Sequence, residues 1–211
     1  HLTTLQMQAD YAQRQHDPLQ VRAALDALGT EIGRATRSAQ QLLALGRSDT
    51  VAVAPAAFEL AGLLREVAVD LLPRARAKRI DLGIHAPEET AEPALLAVAD
   101  RALLREALTN LVANAIAYTP DAGTITVFAA GDAAGWSLNV EDDGPGLGEE
   151  ERAQLGQRFR RGARAGKGGF GLGLAIARSI AQRHGGELRL EAREGGSGLH
   201  AIIWWPRPGS A

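Results

Sequence analysis

The first part of the chain carries apolar or small side chains at spacings that alternate between four and three. This seam has the spacing of heptad helices in coiled coils and bundles, and its members are Val21, Leu25, Leu28, Ile32, Ala35, Ala39 and Leu42. A shorter run of related spacing comprises Leu2, Leu5, Ala9 and Ala12. Between the two runs, Asp17 can cap a helix and Pro18 suits a first helical position. The pattern predicts an antiparallel helical hairpin over residues 1–47.

The two arms of the predicted hairpin are unequal. At about 1.5 Å per residue, a helix over residues 18–47 spans about 45 Å, whereas residues 2–15 span only about 20 Å. The far half of the second helix therefore needs a partner, and helical hairpins commonly pair into four-helix bundles. We expect a second copy of the chain on this face, which would form a homodimer, or a first helix that has been shortened; both can hold.

The pattern changes after residue 47. Residues 48–57 (SDTVAVAPAA) are mostly small and include a proline, which predicts a linker. Residues 58–211 then alternate between extended and helical periodicities. Strands are predicted at 79–86, 94–99, 123–130, 136–142, 187–192 and 199–205, and helices at 58–77, from an Asp100 cap to about Ala117, and from Leu172 to His184. This order predicts a mixed α+β domain with antiparallel pairs, not a Rossmann domain.

Composition and charge narrow the chemistry. With 45% hydrophobic and 23% charged residues among 211, the chain is expected to fold. A net charge of −2 gives no general attraction for nucleic acid, and no apolar run reaches the length of a membrane span, so this stretch is expected to contact neither. The absence of cysteine excludes disulfides, thiol nucleophiles and cysteine-ligated zinc. Glycine is the unusual component, because ten of the 24 glycines fall between Gly144 and Gly173.

A polar ridge crosses the helix predicted after Asp100. Glu106, Asn110 and Asn114 follow one another at intervals of four, on a helix whose other face is apolar. Asparagine is a poor residue for a helix interior, so two on one ridge need a reason. The ridge is either an ordinary exposed face or part of a magnesium–phosphate site, because Mg²⁺ takes oxygen ligands and needs only one or two protein groups beside nucleotide phosphates.

Two glycine-rich segments follow. The segment Asp142-Asp143-Gly144-Pro145-Gly146 comes directly after a predicted strand; it is either an ordinary turn or a site where a strand-end carboxylate accepts the amine of adenine. The segment Gly169-Phe170-Gly171-Leu172-Gly173-Leu174 opens a predicted helix, and free N–H groups there can hold phosphate. A Rossmann site is excluded because no strand immediately precedes this segment, and residues 162–168 fail the Walker spacing by one residue.

Together these segments resemble a known family. LLREALTNLVANAIAYTP resembles the N box of sensor histidine kinases, VEDDGPGL their first glycine box, RFRRG their phenylalanine box and GGFGLGLAIARSIAQRHGGEL their second glycine box. GGSGLHAIIWWP is similar to the third glycine segment and last strand. The resemblance covers residues 58–207, and residues 1–47 are similar to the dimerisation and phosphoacceptor domain that precedes it. It implies a Bergerat-type α/β sandwich with a mixed sheet, three helices and a lid, preceded by an antiparallel helical hairpin.

The resemblance also implies ATP and Mg²⁺ as cofactors and assigns site residues. Asn114 would ligate Mg²⁺ and Asn110 would lie beside the phosphates, while Tyr118 would line the pocket and Asp142 would bind adenine. The remaining nucleotide-binding residues would shape the base pocket or belong to the lid and its phosphate-holding end, and they are Gly144, Gly146, Arg161, Lys167, Gly169, Gly171, Leu172 and Gly173.

Two departures from the family pattern stand out. The family usually has Lys or Arg three residues after the magnesium asparagine, where this chain has Ala117; we expect Lys167 or Arg161 to supply the missing charge. The phosphoacceptor motif, a histidine with an acidic neighbour and a proline five positions on, does not fit His1. Aligning the residues after His1 with the family puts the acceptor upstream of this chain, and no catalytic residue is assigned within it. His16 has an acidic neighbour but lies in the predicted hairpin turn.

The resemblance implies the cytoplasmic part of a bacterial sensor kinase whose parent protein lies in the inner membrane. It would transfer the γ-phosphoryl group of ATP to histidine for relay to an aspartate in the receiver domain of a response regulator. Two alternatives stay open. One is a Bergerat-fold ATPase, although those enzymes have a glutamate at the position of Asn110, which cannot act as a general base. The other is a degenerate nucleotide-binding or dimerisation module.

Overall fold

A computed structural model describes residues 20–22, 24–25, 53–85, 95–149, 151 and 172–208. Within the predicted hairpin, the described residues 20–22 and 24–25 are helical, in agreement with the second predicted helix. The rest of the hairpin and its pairing lie outside the described residues. Among the residues that are described, no helix combines the length and the apolar character that crossing a bilayer requires.

The part of the chain described from residue 53 onward forms a mixed α+β domain. Its strands are β1 (Ala56–Glu59), β2 (Asp81–His85), β3 (Leu96–Ala99), β4 (Thr124–Gly131), β5 (Gly135–Asp142), β6 (Glu187–Ala192) and β7 (Leu199–Pro206). Its helices are α1 (Leu60–Ala77), α2 (Arg101–Tyr118) and α3 (Leu172–Arg183). The predicted mixed sheet with three helices is confirmed for these residues.

The main sheet has five strands in the order β2-β4-β5-β7-β6. β2 and β4 are parallel, and the other neighbours are antiparallel. Alternate residues of each strand point to opposite faces, and the core face carries Val127, Leu138 and Ile203, all of which are buried. Apolar residues of the three helices join them in one core. The domain is therefore a sheet with a helical layer on one side.

A second, two-stranded sheet joins β1 to β3 in antiparallel register, with Phe58 opposite Ala97. The sequence pattern predicts no strand here, because Ala56 and Ala57 fall in the predicted linker and Phe58 falls in a predicted helix. Four residues without clear alternation give no local strand signal, and β1 forms because β3, about forty residues later, offers it a partner. The helix predicted from residue 58 accordingly begins at Leu60.

The ends of the helices follow local chemistry. Asp100 caps α2, since its Oδ1 accepts hydrogen bonds from the N–H groups of Ala102 and Leu103 at 3.1 Å each, which confirms the predicted cap. At the C-terminal end of α1, Arg79 takes the left-handed conformation with φ of 56°, and Ile80 N–H bonds back to the carbonyl of Ala75 at 3.0 Å. This closing turn is of a kind that usually contains glycine.

Charged side chains join α1 to α2 at the surface. Glu66 accepts hydrogen bonds from Arg101 Nη2 and Arg105 Nε, each at 2.5 Å, and Arg105 also bonds to Asp70. These hydrogen bonds, that from Arg101 foremost, lower the pKa of Glu66. The helix that carries the asparagine ridge is thus tied to its neighbour through both charge and core packing.

Candidate functional site

The asparagine ridge of α2 borders the core without being enclosed by it. Asn110 and Asn114 are partly buried, and Asn110 Nδ2 donates a hydrogen bond to the carbonyl of Glu106 at 2.9 Å. Burial raises the pKa of the Glu106 carboxyl. The ridge is therefore not an ordinary exposed polar face. Its role depends on which residues of other elements pack against it.

Gly173, in the first turn of α3, lies directly against the ridge. A Cβ atom built on this glycine would be 3.1 Å from Asn114 Nδ2 and 3.3 Å from Asn110 Oδ1. The helix begins at Leu172, as predicted. The structure thus brings together Asn110, Asn114 and Gly173, although about sixty residues separate the glycine from the asparagines. Because Gly173 has no side chain, it does not cover the side-chain amides of Asn110 and Asn114. These amides therefore lie beside the beginning of a helix, where free backbone N–H groups favour an anion.

Asp142 ends β5 on the core side of the sheet and is 7% exposed. Its Oδ1 accepts a hydrogen bond from Gly144 N–H at 2.9 Å. Burial raises the pKa of the Asp142 carboxyl, against the opposing effect of backbone N–H groups of Gly144 and Leu199. A buried acceptor at the end of a strand suits recognition of an amine on a flat base.

The turn after Asp142 depends on glycine. Gly146 has φ of +67°, and a Cβ there would be 2.9 Å from the carbonyl of Gly198. Gly198 itself has φ of +139°, and a Cβ on it would collide with the carbonyl of Asp142. Ser197 Oγ donates a hydrogen bond to the carbonyl of Gly144 at 2.7 Å. The segment before β7 therefore holds the predicted base-binding turn in place.

Ser197 and Gly198 are not among the site residues predicted from the sequence. The sequence feature that could have indicated them is the glycine run before the last strand. This run resembles a segment of the family, but the resemblance assigned no role to its individual residues. A run of glycines does not show what it packs against, and the contact with Asp142 exists only because β5 and β7 are neighbours in the sheet. Ser197 and Gly198 thus contact the turn that contains the predicted site residues Gly144 and Gly146.

The end of α2 connects the asparagine ridge to the Asp142 turn. Tyr118 is 48% exposed, and its carbonyl would lie 3.4 Å from a Cβ on Gly144. Lys78, directly after α1, reaches the same helix end. Its Nζ donates to the carbonyls of Ile116 at 2.8 Å, Ala117 at 3.3 Å and Thr119 at 2.5 Å. Ala117 is exposed. Lys78 is a third residue to which the sequence assigned no role, after Ser197 and Gly198.

Four predicted site residues lie outside the described residues: Arg161, Lys167, Gly169 and Gly171. The others are placed by the structure in two groups that meet at the end of α2. One group comprises the amides of Asn110 and Asn114 with Gly173, and the other comprises Asp142 with its glycine turn. The amide oxygens suit Mg²⁺, a hard cation that accepts neutral oxygen ligands together with phosphate and water.

This architecture, with an amide ridge facing a helix start and a strand-end carboxylate beside a glycine turn, defines the class of ATP-binding domains to which histidine kinases belong. The comparison with known families agrees with that class. Residues 99–209, more than half of the chain, match the family described as "Histidine kinase-, DNA gyrase B-, and HSP90-like ATPase". The chain belongs to this family, as its sequence motifs predicted.

The relatives are sensor kinases. Sensor protein QseC of Escherichia coli (strain K12) is 34% identical over 211 residues, which cover 97% of this chain and 44% of QseC. The chain therefore spans less than half the length of that curated relative. These matches confirm the predicted resemblance to two-component sensor histidine kinases.

Solved structures support the fold. The nucleotide-free catalytic domain of histidine kinase ThkA matches with a TM-score of 0.62 and 31% identity, over 73% of this chain and 97% of that domain. A crystal structure of ThkA in complex with response regulator protein TrrA matches with a TM-score of 0.77 over 98% of this chain and 57% of that one. Its identity of 24% makes the second likeness one of fold.

Proposed function

We propose that this chain binds Mg-ATP as the catalytic part of a two-component sensor histidine kinase and transfers the γ-phosphoryl group to a histidine, for relay to a response-regulator aspartate. The observation that carries the proposal is the apposition of Gly173 to Asn110 and Asn114. It supports a polyphosphate site, because amide oxygens for a cation and a helix start for an anion lie side by side.

Each residue has a proposed role. Asn114 holds Mg²⁺, Asn110 lies beside the phosphates, and Asp142 accepts the amine of adenine while Tyr118 lines the pocket. Gly144 and Gly146 let the backbone approach the base. The phosphates lie against the backbone of the glycine segment that leads into α3. The residues of this segment with a proposed role are Gly169, Gly171, Leu172 and Gly173.

The reaction is an in-line phosphoryl transfer. An imidazole nitrogen of the acceptor histidine attacks the γ-phosphorus, the bond between that phosphorus and the β–γ bridging oxygen breaks, and ADP leaves. When bound, Mg²⁺ neutralises charge on the phosphate oxygens. The chain contributes positioning: Asp142 and its glycine turn hold the base, and the amide ridge with the start of α3 holds the phosphates.

The acceptor histidine is proposed to lie upstream of residue 1, because no histidine of this chain carries the motif. Efficient ATP hydrolysis is not expected. The position from which a glutamate would activate water holds Asn110, and Glu106 lies one further turn back along α2. One turn displaces a residue by about 5.4 Å along the helix, which is longer than a hydrogen bond, so Glu106 is not expected to take the place of a glutamate at position 110.

Titration of the chain with a nonhydrolysable ATP analogue and Mg²⁺ tests the site. Asn114→Ala should lower affinity by about tenfold or more, since it removes an oxygen ligand from a charged centre. Thr109→Ala is the matched control on the same helix, because the Thr109 hydroxyl bonds only to the carbonyl of Arg105 at 2.7 Å among the contacts described. Equal affinities for wild type and Asn114→Ala would refute the magnesium site. Absence of nucleotide binding would favour the degenerate module, and rapid phosphate release would favour the ATPase.

The cation that replaces a basic residue at position 117 is proposed to be Lys167 or Arg161. Each is replaced by Ala, and ADP is compared with the ATP analogue. A γ-phosphate contact predicts a selective loss of affinity for the triphosphate. If both variants bind the two nucleotides as the wild type does, neither residue supplies this charge.

Partners and location extend the proposal to the whole protein. ThkA binds a response regulator in its crystal structure, and we propose the receiver domain of such a regulator as the phosphoryl acceptor here. We further propose a homodimer through residues 1–47 and an inner-membrane parent protein with this part in the cytoplasm. Phosphate transfer from radiolabelled ATP in the whole protein, abolished by replacing the upstream histidine, tests the relay, and light scattering tests the dimer.

The linker is proposed as a hinge that lets the ATP-binding domain reach the acceptor. Because Ala56 and Ala57 belong to β1, the hinge is confined to residues 48–55. Prolines introduced at 48–52 should impair phosphotransfer and leave nucleotide affinity unchanged, since the site lies within the folded domain. Unchanged phosphotransfer would remove the hinge from the proposal.

A further inference from the structure

Lys78 makes an unusual set of contacts for a lysine next to a helix end. It follows α1, is partly buried, and directs its ammonium group to three backbone carbonyls at the end of α2. The acceptors are Ile116, Ala117 and Thr119, at 2.8, 3.3 and 2.5 Å. An ammonium group has three N–H donors, so each can be matched to one carbonyl.

Those carbonyls need a partner. The last four carbonyls of an α-helix receive no hydrogen bond from an N–H group of the same helix. Together they form the negative end of the helix dipole. Asn114 lies one turn before this end, so a polyphosphate bound at Asn114 would approach a negative helix terminus. The ammonium group of Lys78 satisfies the carbonyls and offsets their charge, whereas Ala117 contributes no charge.

The same lysine joins the end of α2 to the loop that follows. Lys78 accepts a hydrogen bond on its own carbonyl from Ala122 N–H at 2.9 Å. One residue on, a Cβ built on Gly123 would be 2.5 Å from Asp143 Oδ1, so this loop packs against the turn that follows Asp142. The segment from the end of α2 to Gly123 therefore connects the asparagine ridge to the turn after Asp142. Lys78 bonds to this segment through both its ammonium group and its own carbonyl.

We propose that Lys78 is a positioning residue for nucleotide binding. Its ammonium group sets the end of α2, and with it Asn114, against the turn after Asp142, and lowers the repulsion between that helix end and a nucleoside polyphosphate. This inference rests on the proposed nucleotide-binding function. It predicts an effect that grows with phosphate charge, which a purely structural contact would not produce.

The test compares Lys78→Met with Arg79→Met. Arg79 is the adjacent residue, carries the same charge, and joins the same two segments through an ion pair with Asp121 at 3.3 Å, but it has no described contact with the end of α2. Each variant is titrated with adenosine, ADP and a nonhydrolysable ATP analogue, the nucleotides with Mg²⁺. Lys78→Met should lose about tenfold affinity for the analogue, as expected for three charge-assisted bonds to a helix end, and clearly less for adenosine.

Two further variants separate charge from shape. Lys78→Arg keeps the charge and should bind the analogue to within a few-fold of wild type, whereas Lys78→Gln keeps donors without charge and should retain the selective loss. This pair decides the matter even if Lys78→Met does not fold. Circular dichroism and thermal melting confirm that each variant is folded at the titration temperature.

The outcomes are distinct. A loss that is equal for adenosine and the analogue, or equal in Lys78→Met and Arg79→Met, overturns the inference, and so does analogue binding by Lys78→Gln at wild-type affinity. If the wild type binds Mg-ATP analogue and the Lys78 variants bind it equally well, this inference fails while the proposed function stands. If the wild type binds no nucleotide, the proposed function fails and the role of Lys78 falls with it.

Discussion

Gly173 lies so close to Asn114 that a Cβ atom on the glycine would be 3.1 Å from the side-chain nitrogen of the asparagine. This distance is tighter than most Cβ contacts, and Asn110 is nearly as close on the same side at 3.3 Å. The glycine segment was predicted to hold phosphate, Asn114 was predicted to hold the cation, and Asn110 was predicted to lie beside the phosphates. Their apposition means that any side chain at position 173 must compete with the amides for the same space.

Gly173→Ala should separate stability from binding. Alanine in a helix is favoured over glycine by about 1 kcal/mol, so the free energy of unfolding should not fall by much. The added methyl group must displace the amides of Asn110 or Asn114, so affinity for the Mg-ATP analogue should fall by about tenfold. Urea denaturation and calorimetric titration measure the two effects.

Gly62→Ala is the matched control for that substitution. Gly62 lies within α1, and a Cβ on it would meet no atom within 4 Å. It should gain stability from helix propensity, about 0.5–1 kcal/mol, with unchanged nucleotide affinity. If Gly173→Ala binds nucleotide as well as Gly62→Ala does, the close approach to the amides has no functional role.

Asp142→Asn should weaken nucleotide binding without weakening the fold. The ionised carboxylate is the stronger acceptor for the adenine amine, so its loss should cost about tenfold or more in affinity. Because burial raises the pKa of Asp142 in the folded state, the stability it contributes is present below the usual aspartate pKa and is lost as the pH rises through the raised value. At neutral pH the neutral asparagine should therefore be at least as stable as the wild type.

The same pKa predicts the pH dependence of binding. Affinity for the nucleotide should decrease on acidification, with a midpoint above the usual aspartate range, and Asp142→Asn should not show this decrease. Glu141→Gln is the control, since Glu141 is the neighbouring carboxylate on the other face of β5, 3.6 Å from His200 Nδ1. If Glu141→Gln reduces affinity as much as Asp142→Asn, recognition of adenine by Asp142 is wrong.

Glu66→Gln should lower stability at neutral pH. The hydrogen bonds from Arg101 and Arg105 lower the pKa of Glu66, so the stability it contributes is present above the usual glutamate pKa and is lost as the pH falls through the lowered value. Urea midpoints of variant and wild type should therefore converge in acid. They should also converge in concentrated salt, because the network lies at the surface.

Glu187→Gln provides the comparison for Glu66→Gln. Glu187 accepts from Arg189 at 2.7 Å, but the two residues belong to the same strand. Loss of a pair that joins no separate elements should change the urea midpoint less than loss of the link between α1 and α2. A larger effect of Glu187→Gln would contradict this ranking.

Ala122→Gly should raise stability. Ala122 has φ of 63°, a left-handed conformation that disfavours a Cβ atom. Glycine relieves this cost and loses part of the gain to its greater freedom when unfolded, which leaves a net stabilisation of about 0.5–1 kcal/mol. Ala130→Gly, on an exposed position of β4, should instead destabilise by a similar amount, and thermal melting compares the two.

Local signals predicted the elements that form most of the site. Asp100 caps α2 where the sequence placed the cap, α3 begins at Leu172, and β6 has the predicted bounds. Each depends on residues a few positions apart: a side chain that bonds to the nearest N–H groups, or alternating apolar positions. The asparagine ridge was visible for the same reason, since intervals of four place residues on one face of a helix.

Contacts between distant residues were not visible in the same way. β1 was missed because its pairing with β3 is the reason that it is a strand. Lys78 was missed because a lysine beside a helix end has many possible partners, and its three acceptors are 38 to 41 residues away. Ser197 and Gly198 were missed because they act on the turn after Asp142 across the sheet.

The sequence by itself therefore determined the family, most of the elements around the site and the residue types that we propose to bind a nucleotide, because caps, periodicity and glycine segments are local. Only the tertiary structure decided which residues meet: Gly173 against Asn114, Gly198 against Asp142, and Lys78 at the end of α2. The physical reason is that close approach depends on the packing of helices on a sheet. The residues next to a glycine or a lysine in the sequence do not indicate which surface it will contact in the folded domain.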